Sequence, residues 1–249
     1  MRAEHSTTLA CVDEVLSAWY RENGRSLPWR ETRDPYAILI SEVMLQQTQV
    51  ERVIPRWSAW LARWPTPAAL AEAKPGEVIQ AWQGLGYNRR AVALRRAAQA
   101  IAADGWPDDL TDLPGVGPYT AAAIRNQAFG DDVLPVDTNV ARIKERTGHE
   151  FGARSLQALF DLGATICLAR IPRCDVCPLA PECPSRGRRY EPLRKQSRFE
   201  GSFRQRRADT LRLVAAAPRR SAALDSEVVA ALARDGLVEE DEGVVRLPD

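Results

Sequence analysis

Four cysteines fall within seventeen residues, at Cys167, Cys174, Cys177 and Cys183, separated by six, two and five residues. Thiolates so close in sequence can converge on one centre, and a structural zinc or an iron–sulfur cluster would satisfy four sulfurs. A chain that keeps its thiols reduced does not normally spend clustered cysteines on disulfides. Cys11 stands apart in an amphipathic run and reads as a small buried hydrophobe. Two carboxylates form the second chemical group. Glu42 interrupts the apolar run AILI-S-E-VML. An ionised carboxylate is costly there, so its pKa is expected to rise, and a carboxyl held protonated near neutral pH is a general acid. Gln46 and Gln49 recur at helical spacing from Glu42, which also fits one wet face of a buried helix. Asp137 in LPVDTNVARI precedes a helical run, the usual place of an N-cap.

A third motif is LPGVGPYTA, residues 113–121. Gly115 and Gly117 can take positive φ and leave backbone N–H groups unshielded. Pro118 suits the first turn of a helix, whose N-terminus is a site for phosphate. The same string also fits a plain tight turn between core helices.

The elements that must hold these residues are helical. Apolar residues recur at helical spacing in LACVDEVLSAWY, AILISEVMLQQTQVERVIPRWSAWLARW and AVALRRAAQAIAA. Prolines 35, 55, 65, 67, 75 and 107 are expected to cut these runs. Gly187–Arg207 is basic and aperiodic, and reads as a linker with Arg186, Arg188 and Arg189 at its start. Beyond it, ADTLRLVAAA and DSEVVAALARDG read as helices and GLVEEDEGVVRLP as a hairpin with an acidic turn, together a winged-helix-like module. The net charge of +1 argues against a generic polyanion binder, although arginine is dense from Arg186 to Arg220. Arg170, Arg173 and Arg186 around the cysteines would suit phosphate contacts. With no signal-peptide pattern and no long apolar run, a cytoplasmic, nucleoid-associated protein without a membrane segment is expected.

The motifs SEVMLQQTQV, GLGYNRR, LPGVGPYTAAAI, VDTNVARI and the cysteine loop occur in this order. Residues 15–185 thereby resemble the MutY-type adenine DNA glycosylases of the helix–hairpin–helix, endonuclease III-like superfamily. The resemblance implies an all-α fold: a six-helix barrel lobe over 24–140, and an iron–sulfur lobe from 1–23 and 141–186. A linker over 187–206 and a small winged-helix-like module over 207–249 would follow. It implies a 4Fe–4S cofactor on Cys167, Cys174, Cys177 and Cys183, and a monomer acting on double-stranded DNA with a mispaired or damaged base flipped out.

The implied activity is hydrolysis of the N-glycosidic bond of adenine opposite 8-oxoguanine or guanine. Glu42 would protonate the base, Asp137 would stabilise an oxocarbenium-like sugar, and Asn139 would hold Asp137. Tyr119 stands where bifunctional relatives have a Schiff-base lysine, which implies a monofunctional enzyme. Gln47, Thr48, Leu85 and Tyr87 would probe the opposite base, with Tyr87 as a wedge, and Gly115 and Gly117 would grip a phosphate. Arg25, Trp29 and Leu45 would line the adenine pocket. The sequence departs from the family in lacking a Nudix-like C-terminal domain, in a short 146–156 region, and in its basic linker and wing. A thymine or uracil mismatch glycosylase and a non-catalytic damage-binding protein are the alternatives.

Overall fold

The computed structural model describes residues 2–191 and 198–249, with side chains from residue 12 onward. The reading of Cys11 as a buried hydrophobe, and the part of the basic stretch at 192–197, lie outside the described residues. Eleven α-helices occur among the described residues, in chain order α1 (Arg2–Asn23), α2 (Pro35–Leu45), α3 (Val50–Arg63), α4 (Pro67–Glu72), α5 (Pro75–Ala81), α6 (Arg89–Asp104), α7 (Pro118–Ile124), α8 (Thr138–Thr147), α9 (Leu156–Thr165), α10 (Phe203–Ala216) and α11 (Ser226–Arg234). Three short strands, β1 (Arg219–Arg220), β2 (Glu239–Asp241) and β3 (Val244–Arg246), make one antiparallel sheet in the order β1-β3-β2. No described helix is long and apolar enough to cross a membrane.

The chain forms two compact units, Met1–Pro35 with Pro118–Lys195, and Tyr36–Gly117 with Gln196–Asp249. The core of the first unit joins Val12 and Leu16 of α1 to Val140 and Ile143 of α8 and to Ala158, Leu159 and Leu162 of α9. Asp13 ties the connection between α8 and α9 to α1: it accepts from Gly152 N at 3.3 Å and from Ser155 Oγ at 2.6 Å. In the second unit nine consecutive residues of α2, Tyr36–Met44, are buried, which explains a helix apolar all round. Trp57 Nε1 donates to Ala37 O at 2.8 Å, and Trp60 packs edge-on against Trp64 and Trp82.

The prolines act unevenly. Pro35, Pro67 and Pro75 open helices, where a missing N–H costs nothing. Pro55 does not cut its run; it lies inside α3. It forfeits one helical hydrogen bond, a penalty of about 3 kcal/mol that the burial of Val53 and Trp60 offsets. The run breaks instead at residues 46–49, where Gln47 takes a φ of +54°. Gln49 is the N-cap of α3, so Gln46 and Gln49 share no helical face with Glu42.

The C-terminal elements form the expected two helices and hairpin, with β1 added to the sheet. Glu242 and Gly243, at φ +47° and +74°, make the two-residue turn between β2 and β3. Helix α10 begins five residues earlier than the periodicity suggests, because Ser202 Oγ accepts from Gln205 N at 3.3 Å and caps it.

The Gly-Val-Gly turn lies where the chain passes from the second unit into the first. Only Gly115 takes a positive φ, at +82°, and a Cβ there would lie 2.9 Å from Ala93 Cβ. Gly117 does not, and a Cβ on it would meet nothing within 4 Å. Gly115→Ala is expected to destabilise the protein by about 1–3 kcal/mol, and Gly117→Ala by under about 0.5 kcal/mol, in urea unfolding.

Candidate functional site

Asp137 caps α8. Its Oδ1 accepts from Asn139 N at 2.8 Å and from Val140 N at 2.7 Å, which leaves Oδ2 to accept from Asn139 Nδ2 at 2.9 Å. Three donors fix the carboxylate in one rotamer at the N-terminal end of a helix. Asn139 is held in turn, since its Oδ1 accepts from Arg142 Nη2 at 2.8 Å. Arg142 also donates to Cys167 O and Gly163 O, both at 2.9 Å. Burial pulls the Arg142 pKa down, and the neighbouring Cys167 opposes that pull. A continuous hydrogen-bonded path therefore runs from Asp137 to the backbone of the first cysteine.

The four cysteines line one small cavity walled by Ile143, Leu162, Ile166 and Leu179. Burial pushes the Cys177 thiol up to about 11, further than its bond with the Leu179 backbone lowers it. Arg146, 5% exposed, reaches Cys167 Sγ at 3.5 Å and donates to Leu168 O and Ala169 O, both at 2.7 Å. Its guanidinium stacks 3.8 Å from the centre of the Tyr190 ring. Tyr190 N donates to Arg170 O at 3.0 Å, so the first residues of the basic stretch fold onto the cysteine loop. Among the described residues no three His, Cys, Asp or Glu stand close enough to hold a single metal ion.

Asp161 is a second carboxylate of this unit, fully buried, and its sequence signal is a lone charge in the apolar run LQALFDLGAT. It accepts from Arg25 N (2.8 Å), Arg25 Nε (2.7 Å), Arg30 Nη1 (2.9 Å) and Arg30 Nη2 (2.7 Å). Burial alone would raise its pKa; the bonds from Arg30 and Arg25 overcome that and hold it below its ordinary value. Arg25, expected in a base pocket, is thus committed to Asp161. Trp29, buried at 4% exposure, lines a cavity of about 590 Å³ with Arg30, Arg33, Asn126, Gln127 and Gln157. Leu45 ends α2 and belongs to the other unit.

In the second unit Glu42 is 5% exposed and sits among the buried residues of α2. Arg90, near the start of α6, organises the chain around the end of that helix. Its Nη1 donates to Val43 O at 2.6 Å and Gln46 O at 2.7 Å, and its Nη2 to Leu85 O at 3.2 Å and Gly86 O at 3.0 Å. Burial pulls its pKa down to about 10, with Tyr87 opposing the shift. One side chain thus binds the end of α2 to the Gly84–Asn88 loop. Thr48 Oγ1 reinforces the junction with a bond to Leu85 O at 3.3 Å, and Trp82 Nε1 donates to Gly86 O at 3.0 Å.

Gln47, Thr48 and Tyr87 come together on this junction, with Tyr87 half exposed at a φ of +46°. Leu85, expected at the same surface, is buried at 5% exposure and contributes its carbonyl. Tyr119 is the second residue of α7 and, like Asp137, belongs to the first unit, whereas Glu42 belongs to the second.

Asp161→Ala would strand Arg25 and Arg30 without their carboxylate and is expected to cost about 3–5 kcal/mol of stability. Because the folded carboxyl titrates below its ordinary value, its contribution is complete above the ordinary carboxylate range and is lost as pH falls through the lowered value. Thermal melts of wild type and Asp161→Asn should therefore converge in strong acid and differ at pH 7.

Residues 40–152 match the HhH-GPD superfamily of base excision DNA repair proteins. The chain is 42% identical over 240 residues to the adenine DNA glycosylase of Mycobacterium tuberculosis, covering 82% of this chain and 79% of that protein. It is 37% identical over 213 residues to the human adenine DNA glycosylase, covering 70% of this chain and 39% of that protein. The fold is similar to that of a thermostable thymine-DNA glycosylase, with a TM-score of 0.65 and 26% identity over 72% of this chain and 96% of that one. It is also similar to endonuclease III trapped in a covalent DNA intermediate, with a TM-score of 0.62 and 23% identity over 72% and 95% of the two chains. With its helical fold and its hairpin in place, the chain belongs to the adenine DNA glycosylase family of HhH-GPD proteins and is a DNA glycosylase of base excision repair.

Proposed function

We propose that this glycosylase removes adenine from mispairs with 8-oxoguanine or guanine in double-stranded DNA. The observation that carries this reading is the 42% identity to an adenine DNA glycosylase across about four-fifths of each chain. Glu42, desolvated within α2, is the general acid that protonates the base and turns it into a leaving group. Asp137, fixed as an anion by three donors, stabilises positive charge as it develops on the sugar. Asn139 positions that carboxylate. Tyr119 carries no amine and forms no Schiff base, so water completes the reaction and the strand is left uncut. Gln47, Thr48 and Tyr87 meet the opposite base, and the Gly115–Gly117 hairpin meets a phosphate.

The cysteine cavity suits a 4Fe–4S cluster on Cys167, Cys174, Cys177 and Cys183. All four thiols line it, and its walls are largely apolar. Bound there, the cluster would cross-link the loop through four iron–thiolate bonds, while Arg146 offers its Cys167 sulfur a charged hydrogen bond. The purified protein is expected to be brown and to contain about four irons per chain, with no stoichiometric zinc. A zinc-loaded, colourless protein would overturn the assignment.

A second reading, excision of thymine from G·T mispairs, draws on the structural similarity to a thymine-DNA glycosylase. Duplexes with A opposite 8-oxoguanine, A opposite G, T opposite G and U opposite G, treated with alkali after incubation, separate the two. Cleavage is expected only with the adenine duplexes, and only after alkali. Bands confined to T or U would establish the second reading. Glu42→Gln is expected to slow single-turnover excision by about 10²–10⁴-fold. Asp137→Asn is expected to slow it by about 10²–10³-fold with DNA binding retained.

A further inference from the structure

The C-terminal elements are built into the second unit. Leu211 and Val214 of α10, Val228, Val229 and Leu232 of α11, and Val245 of β3 form one buried cluster with Ile79 of α5, with Val92 of α6 packed against it. The last residues close over α5: Gly76 N donates to Pro248 O at 2.8 Å, and a Cβ on Gly76 would lie 2.6 Å from that oxygen. Asp235 faces the start of α6, where it is salt-bridged to Arg207 and lies 3.8 Å from Arg89. The module thus grips α5 and α6, the two helices that flank the Gly84–Asn88 loop.

The same module is poorly suited to hold DNA itself. From the start of α10 it carries nine carboxylates against eight arginines, and its hairpin concentrates Glu239, Glu240, Asp241 and Glu242 on an exposed surface. Such a surface repels a phosphate backbone.

We propose that the C-terminal module is a brace that sets the Tyr87 loop through α5 and α6, and so governs mispair discrimination without touching DNA. It acts as a positioning element. Tyr87 holds left-handed backbone in a loop whose two flanking helices, α5 and α6, both pack against the module. Arg90 carries the position of α6 to the loop, because it leaves α6 and bonds Leu85 and Gly86 of the loop as well as the end of α2. The inference rests on the reading that Tyr87 meets DNA.

The test uses the full chain. Gly76→Ala favours the helix but must displace Pro248, and Asp235→Asn removes the charge facing Arg89 and Arg207. Each is made in an Asp137→Asn background, and the ratio of affinities for A·8-oxoguanine and fully paired duplexes is measured, with and without Tyr87→Ala. Hydrogen exchange of the Gly76 amide reports that the tail has moved, and thermal melts report folding. At least one brace variant is expected to lower the ratio by at least about threefold, and this loss is expected to vanish when Tyr87 is alanine. An unchanged ratio in folded variants with a freed Gly76 amide would overturn the brace, as would a loss of the same size in the Tyr87→Ala background. If Tyr87→Ala alone leaves the ratio unchanged, the reading of Tyr87 falls, and the brace with it. If Gly76→Ala fails to fold, Asp235→Asn decides the matter on the same ratio.

Discussion

Arginine side chains bonded to backbone carbonyls hold the candidate site together. A loop outside regular structure leaves carbonyls without partners, and buried carbonyls must be paired. Arg90 bonds five carbonyls in two separate stretches, Arg142 pairs with Gly163 and Cys167, and Arg146 with Leu168 and Ala169. A lysine has the charge but not the planar fork that reaches two directions at once. The Gly84–Asn88 loop and the cysteine loop, to which specificity and cofactor are assigned, take their shapes from these bonds.

Three carboxylates are handled in three ways. Asp161 is buried and neutralised by two guanidinium groups, so it serves structure. Asp137 is held by the peptide N–H groups and the side-chain amide of its own helix, which fix it without cancelling its charge. That arrangement leaves an anion able to act on a developing cation. Glu42 lies deep among aliphatic residues, where little water reaches its carboxyl. The division of labour follows from surroundings rather than from residue type.

Much of this is legible in the sequence, and the reasons differ from residue to residue. Cysteine spacing is readable because ligands of one centre must be near in the chain or in space. Asp137 is readable as a cap because a cap is local, and Glu42 because it breaks an apolar run. Periodicity finds the helices, but Pro55 misleads, since packing of Val53 and Trp60 overrides a local penalty. The burial of Leu85 is not legible, because a motif identifies a loop without saying which of its side chains turn inward. The arginine forks are invisible for a deeper reason. Their partners are carbonyl oxygens, which every residue has, so no sequence pattern marks them.

Trp82 has one more consequence. Its indole N–H bonds to Gly86 O, the cation of Arg90 lies 5.4 Å from its ring centre, and Tyr87 is the next residue along the loop. Indole emission responds to hydrogen bonding at the ring nitrogen and to charge near the ring. Any rearrangement of the loop alters both at once. Trp82, one of seven tryptophans in the chain, is therefore an intrinsic fluorophore tied to the loop that would meet the mispair.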